Sequence, residues 1–407
     1  MSYIDTFEQP GIAFTQQLID LGRNRRQSAL PLFIGHSSTG ETSQLVLINS
    51  WESYLELFVK DAQKDKETYL LFGVMRSYFD NGGGECYLFS PGQLSSTTVP
   101  QAECFFNSRI RAAINDVQEI TLVAIPEMVL LQEEQHIQLI KDIAFFCAGN
   151  INMMAIIDLP NAPDKARTVA DLNDFPGAEH AAAYWPWLVL SGGNAENPEA
   201  LKGVIIPPSG AVIAAIQQTD RVHGVWKAPA NIALKHVIKP AFSHLEPVKL
   251  FSPQPENGCS VNQIRSFHGR GVKIWGCRTL SRKSDIDKLY IQNRRLINWL
   301  KAECYYYLQP YVFEPNNEIT WFRVHSQLRR VLQDVRDGGG LVGETEAEAF
   351  SILIGENISM SSDEIYNGLM RVKIGLALNR PAEFIHISLD MYLNSAENAA
   401  AKSNMTL

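Results

Sequence analysis

The chain has 407 residues, 45% of them hydrophobic and 20% charged, with a formal net charge of −8. That length exceeds one simple core and gives two or three domains, and the composition is that of a folded globular chain rather than a disordered one. The acidic balance argues against a nucleic-acid sleeve, which needs concentrated basic surface, and no stretch approaches the roughly 18 uninterrupted apolar residues of a membrane span.

Met1 to Asp5 carries neither a basic nor an apolar leader segment, so the protein is expected to stay in the cytosol unless released as part of something larger. The six cysteines are scattered, without a close pair or a histidine at ligand spacing. They read as reduced, mostly buried thiols, not as a zinc site.

In chain order, Ile12 and Phe14 alternate with small or polar residues, the period-2 pattern of a half-buried strand. Leu32-Phe33-Ile34-Gly35 reads as a buried strand, and Ser50 caps a helix that runs to Phe58. Tyr69 to Asp80 is an aromatic helix leading into Asn81-Gly82-Gly83-Gly84 and the short strand Cys86-Tyr87-Leu88-Phe89. Glycines there permit a tight helix-to-strand turn with positive φ. A phosphate cradle needs the opposite order, glycines after a strand and before a helix.

Ile120 to Ile125, Gln132 to Cys147 with Ile137, Ile140 and Ala144 on one stripe, and Met153 to Leu159 read as strand, helix and strand. This is one βαβ unit, with a right-handed crossover expected. Residues 161–177 read as a Pro-punctuated surface loop, and 181–231 as mostly turns between short elements. Ser209, in Pro207-Pro208-Ser209-Gly210, reads as a turn residue, since the context of a nucleophile elbow is missing.

After Gly269-Arg270-Gly271, Val272 and Ile274 alternate with Lys273 and Trp275 as a strand, not a phosphate-capped helix. Ile286, Leu289, Tyr290, Asn293, Leu296, Ile297, Leu300 and Cys304 fall at helical spacing, which groups Lys288, Gln292 and Arg295 on another face. A second helix turns Trp321, Val324, Leu328, Val331, Leu332 and Val335 inward and ends at Gly338-Gly339-Gly340. Its cations form two rows, Arg323 with Arg330 and Arg329 with Arg336. Alternating strands over 370–378 and 385–391 follow, then a polar tail over 394–407.

Convergent chemistry is sparse. The nine histidines show no metal-binding spacing, and no nucleophile, base or cofactor motif forms a set. Asp220-Arg221 and the pair Arg278 and Asp285 read as solvated or structurally paired charges. No metal, no cofactor and no enzymatic activity is expected. A nucleotide-using α/β enzyme, suggested by the βαβ unit and Gly-rich turns, lacks a Walker lysine and a ribose-binding acid.

Several short motifs follow one another in order: Pro10-Gly11-Ile12, Phe79-Asp80-Asn81-Gly82-Gly83-Gly84, Tyr184-Trp185-Pro186-Trp187, Pro207-Pro208-Ser209-Gly210, Gly224-Val225-Trp226-Lys227-Ala228-Pro229, Trp275-Gly276-Cys277-Arg278, Phe313-Glu314-Pro315-Asn316 and Arg380-Pro381-Ala382-Glu383-Phe384. Together they resemble, over nearly the whole length, the contractile tail sheath proteins of phages and phage-tail-like injection particles. The resemblance implies a mixed α/β (α+β) fold, with an inner core built from N- and C-terminal segments, an outer middle domain and extended terminal arms. The implied division is an arm over 1–20, the N-terminal part of the core over 21–100, an outer region over 101–250, an inner, tube-facing domain over 251–380, an arm strand over 381–393 and a tail over 394–407.

It also implies a structural subunit that polymerises as hexameric rings around an inner tube protein and contracts to drive the tube through a target envelope. Baseplate and terminator or cap proteins are the further partners, with no nucleic acid and no membrane. The alternative within the family is a baseplate or cap adaptor that does not form the trunk. Assembly in the cytoplasm of the producing cell, as part of a released particle or virion, is expected. Ile12, Phe14, Phe384, Ile385, Ile387 and Leu389 are the expected interface residues of the arms, donated as edge strands. Lys288, Arg295, Arg323, Arg329, Arg330 and Arg336 are the expected tube-facing cations.

Overall fold

Pro31-Leu32-Phe33-Ile34 is apolar at every position because both faces of the strand it forms, β1 (Pro31–Ile34), are covered. Leu32 and Ile34 enter one apolar cluster and Phe33 the other, as alternation along a strand requires. Every residue of β4 (Leu122–Ala124), β5 (Met154–Asp158) and β6 (Ala181–Trp185) is likewise buried, the mark of parallel strands between helical layers. The computed structural model describes residues 27–40, 44–94, 100–172, 174–192, 201–242, 258–282 and 288–381. The expected arm strands around Ile12 and over 385–391 lie outside them.

These strands belong to a nine-stranded mixed sheet of order β2-β3-β1-β4-β5-β6-β11-β12-β9. Its remaining members are β2 (Val46–Ile48), β3 (Cys86–Phe89), β9 (Ile232–Ala233), β11 (Val261–Phe267) and β12 (Gly271–Trp275). From β3 to β11 all neighbours are parallel, whereas β2, β12 and β9 pair antiparallel. The sheet therefore takes strands from both sides of the borders expected at residues 100 and 250. A smaller antiparallel sheet joins β7 (Leu188–Leu190), β8 (Ile205–Ile206) and β10 (Val237–Pro240).

One face is covered by α1 (Trp51–Phe58), α3 (Leu70–Asp80) and α8 (Ser209–His223), the other by α5 (Ser108–Asp116), α6 (Glu133–Gly149) and α7 (Pro163–Ala170). Short helices α2 (Ala62–Thr68) and α4 (Ala102–Phe105) complete these layers. Ser50 caps α1, its hydroxyl accepting from the Ser53 N–H at 3.1 Å. The βαβ unit forms as β4, α6 and β5, with β4 and β5 parallel.

Two segments differ from their reading as loop and turns. Pro163 opens α7 instead of breaking the chain, because the first helical turn needs no donor from it. Residues 181–231 hold three strands and the fifteen-residue α8, in which Ser209 is the first residue. Ser209 to Ile216 are all buried, so α8 is apolar all round where it starts and shows no helical stripe.

The C-terminal module consists of α9 (Ile291–Leu308), α10 (Glu318–Asp337), α11 (Glu346–Ala349), α12 (Ser362–Tyr366) and an antiparallel pair, β13 (Phe350–Leu353) and β14 (Lys373–Leu376). Leu296, Trp299 and Leu300 of α9 meet Val331, Leu332 and Val335 of α10 in its core. The helix expected from Ile286 begins only at Ile291.

Helix α3 packs closely against α8 and the preceding β8 through glycine. A Cβ on Gly210 falls 2.2 Å from the Val74 carbonyl oxygen, and one on Gly73 falls 2.5 Å from Ile206 Cγ2. Alanine is the better helix former by about 0.5–1 kcal/mol, yet at Gly210 the backbone overlap dominates. Gly210→Ala is expected to lose roughly 1–3 kcal/mol, whereas Gly149→Ala, with nothing within 4 Å, is expected to be neutral or slightly stabilising. Urea unfolding of both variants checks the opposite signs.

Candidate assembly surface

From β1 the chain reaches β3 on one side and then β4 on the other. In an open sheet wound this way, the crevice beyond the ends of β1 and β4 is where ligands ordinarily bind. Here Glu127, fully buried after β4, fills it. Its Oε2 accepts the His36 backbone N–H at 2.8 Å and lies 2.6 Å from His36 Nδ1, while its Oε1 accepts the Leu71 N–H at 3.4 Å. The loop after β1 spends its remaining hydroxyls internally, Ser37 Oγ on Ser90 Oγ at 2.6 Å and Ser38 Oγ on Asp65. A carboxylate of the chain itself thus occupies the position of a bound anion.

Two further titratable groups lie deep in the body. Asp158, at the end of β5, accepts the Ser209 N–H that opens α8 at 2.9 Å. Burial pushes its carboxyl up to about 7, against the pull of Ser209. Burial also pushes the His136 imidazole on α6 down to about 4. All six cysteines are free, and burial raises the thiols of Cys86, Cys147 and Cys259, which leaves those thiols inert. Among the described residues no cluster of His, Cys, Asp or Glu is placed to hold a metal ion, and no helix is long and apolar enough to cross a membrane.

The expected row of Lys288 and Arg295 does not exist. Lys288 precedes α9 and is exposed. Arg295 is only 4% exposed and pairs with Asp220 of α8, Nη1 to Oδ1 at 2.9 Å and Nη2 to Oδ2 at 2.6 Å. Arg295 is therefore not a tube-facing cation. Asp220, read in the sequence as a solvated or structurally paired charge, is a structural partner.

On α10, the apolar stripe Val324, Leu328, Val331, Leu332 and Val335 is buried, as the periodicity predicts. Arg329 donates to both oxygens of Glu346, at 2.6 and 2.8 Å, and Arg336 to Asp337 at 2.8 and 3.0 Å. Arg323 and Arg330 are exposed. The arm residues Ile12, Phe14, Phe384, Ile385, Ile387 and Leu389 lie outside the described residues.

Sequence reasoning missed the apolar surface beside these cations. Phe313, fully exposed, Ile319, Phe322 and Tyr366 all face outward. Asn316 Nδ2 donates to the Leu369 carbonyl at 3.0 Å, which joins the loop carrying Phe313 to the segment carrying Tyr366 and Leu369. The available signal was that Ile319 and Phe322 lie off the inward stripe of α10. Nearby, β13 and β14 pair only with each other as strands, so among the described residues each presents an open edge, a template for a further strand.

A sheet covered on both faces over its parallel strands, with its crevice filled, joined to a module with open strand edges, defines an α/β structural body. Comparison with solved structures gives its family. A chain of the anti-feeding prophage (AFP) baseplate in contracted state is 31% identical, with a TM-score of 0.80 over 96% of this chain and 100% of that one. A chain of the PVC sheath complex in contracted state, from an extracellular contractile injection system, is 27% identical, with a TM-score of 0.71 over 97% and 100%. The sheath tail protein from Desulfitobacterium hafniense shares the fold, at 9% identity and a TM-score of 0.56 over 88% and 94%. No family model and no curated protein matches the sequence. The chain belongs to the contractile tail sheath family, and is a structural sheath subunit of contractile injection systems.

The opposed shifts of Asp158 and His136 have a measurable consequence. A carboxyl whose pKa is raised by folding contributes stability that is full below about pH 4 and lost as pH rises through about 7. A histidine whose pKa is lowered contributes stability that is full above about pH 6.5 and lost as pH falls through about 4. Between those limits the two slopes cancel. Asp158→Asn is expected to uncover the histidine slope, so that acidification from about pH 6.5 to 4.5 costs the variant up to about 1.4 kcal/mol per pH unit more than the parent. Urea titrations across that range check it, and parallel pH profiles would refute it.

Proposed function

We propose that this subunit polymerises as hexameric rings around an inner tube and contracts to drive the tube through a target envelope, without nucleotide hydrolysis of its own. The observation that carries this reading is the full-length likeness to a sheath complex solved in its contracted state. The filled crevice supports it, since the body offers no ligand site where such sheets usually have one. Baseplate and cap proteins are the further partners, and assembly takes place in the cytoplasm of the producing cell before release in a particle.

The open pair β13 and β14 suits strand exchange between subunits. In this reading residues 1–20, through Ile12 and Phe14, and residues 381–393, through Phe384, Ile385, Ile387 and Leu389, add strands to neighbouring copies. Each added strand brings on the order of four to six main-chain hydrogen bonds at ~0.5–1.5 kcal/mol net, and roughly 1.5–3 kcal/mol for every apolar side chain fully buried. That tethers subunits while leaving their bodies free to rotate past one another.

The tube-facing role falls to the C-terminal module, within residues 251–380. Since Arg329 and Arg336 are engaged by this chain's own acids, Arg323 and Arg330 are the cations that meet an acidic tube surface. Arg323→Glu combined with Arg330→Glu is expected to weaken co-sedimentation with the tube protein by roughly tenfold at low salt, with the difference shrinking as salt is added. Unchanged, salt-insensitive binding would overturn that assignment.

A second reading, a sheath-type subunit confined to the baseplate, is favoured by the higher identity and TM-score of the AFP baseplate chain, 31% and 0.80, than of the AFP helical sheath chain, 27% and 0.67. Negative-stain electron microscopy separates the two. A trunk subunit gives hollow ribbed tubes that vanish when Ser2 to Thr15 are deleted, and a baseplate subunit gives single rings or monomers with or without that segment.

A further inference from the structure

The described chain begins in an unusual way. Before β1 starts at Pro31, three successive residues are each held by a side chain from elsewhere in the fold. Arg295 Nη2 donates to the Ser28 carbonyl at 2.9 Å, Gln217 Nε2 donates to the Ala29 carbonyl at 3.1 Å, and the Leu30 N–H donates to Thr121 Oγ1 at 2.8 Å. Ser28 Oγ in turn donates to Asp220 Oδ2 at 2.6 Å, the same oxygen that accepts from Arg295 Nη2. Arg295 and Asp220 side chains are each 4% exposed.

A buried ion pair is a poor device for stability alone, since the cost of desolvating both charges is about as large as their attraction. Its planar, two-toothed geometry does fix direction. Here that geometry joins three parts of the molecule far apart in sequence: the point where residues 1–26 enter the body, α8 beneath the sheet, and α9 at the head of the C-terminal module. Pro31, following directly, has no N–H, and the Leu30 carbonyl accepts the Thr121 N–H at 2.9 Å, so the side-chain latches on 28–30 secure this entry together with the first backbone bond to the β4 side.

We infer that Arg295 is a positioning residue for assembly: with Asp220 and Ser28 it clamps the root of the N-terminal segment to α8 and α9, so that pull on that segment is carried into the C-terminal module rather than peeling β1 from the sheet. This rests on the strand-exchange reading above. Pull on the N-terminal segment and movement of the module are coupled by this single buried knot.

The test uses the full-length chain and two variants. Arg295→Lys keeps the charge opposite Asp220, and so leaves no buried carboxylate alone, but is one bond shorter and gives up the two-toothed pairing that fixes direction. Asp220→Asn with Arg295→Gln removes both charges, so that no buried ion is left unpaired, and guards against a folding defect in the first. Hydrogen exchange at Ala29 and Leu30 is expected to quicken by about tenfold or more in both variants, with β5 unchanged, and sheath tubes are expected to become few and short. Unchanged exchange at 28–30, exchange quickened across the whole sheet, or wild-type tubes from the variants would each overturn the clamp. A parent chain that forms no tubes, with local exchange still quickened in the variants, would overturn the strand-exchange reading and the assembly role while showing that the knot itself holds the segment.

Discussion

Glu127 is the group around which the body is organised. Its carboxylate gathers the backbone after β1, the start of α3 and the turn after β4, at the place where an open α/β sheet ordinarily leaves space for a ligand. A buried carboxylate is tolerated only when hydrogen bonds replace its hydration, and here the protein supplies them from its own loop ends. The result is a sheet with helices on both faces that needs no bound molecule to close it. In the contracting assembly proposed above, the work comes from the contacts between such bodies.

That conclusion directs attention to the surface, and the surface is uneven. The nine-stranded sheet is buried on both faces by two large apolar clusters, whereas the C-terminal module has a small core drawn from α9, α10 and the β13–β14 pair. Two strands with open edges are marginal by themselves. They are held here because Phe350 packs on the helical pair and because Thr345 and Ser361 form capping boxes at α11 and α12. The least self-sufficient part of the molecule thus also carries open strand edges and exposed aromatic rings.

How much of this was legible in the sequence depended on whether burial was one-sided. Where one face of an element is wet, the pattern spoke clearly: the stripe of α10, the cap at Ser50 and the alternation of Ile374 and Leu376 along β14 are all found. Where burial is complete, periodicity is erased. Helix α8, buried all round from Ser209 to Ile216 and introduced by two prolines, reads as turns for that reason. Arg295 is the instructive failure, because a cation at helical spacing looks like a solvated face. Its partner Asp220 lies 75 residues away, and no local pattern announces a pair of that range. The exposed Phe313 and Phe322 were hidden in the opposite sense, since apolar residues suggest a core until the structure shows them outside.

In the contracting assembly proposed above, the exposed apolar side chains also set the scale on which two packings of the subunit differ. Moving a population from one arrangement almost wholly to another takes about 5.5 kcal/mol of differential interaction. Burying one large apolar side chain contributes roughly 1.5–3 kcal/mol, so covering two or three of Phe313, Ile319, Phe322 and Tyr366 in one packing and not in the other supplies the whole difference. Neither a large interface nor a refolded core is required. Under that proposal the body stays rigid, its crevice held shut by Glu127, while a few exposed apolar side chains at the edge of the C-terminal module tip the balance between arrangements of neighbours. Under the clamp inferred above, the knot of Arg295, Asp220 and Ser28 matters more than its modest energy implies, because it sets whether movement of that module reaches the root of the N-terminal segment at 28–30.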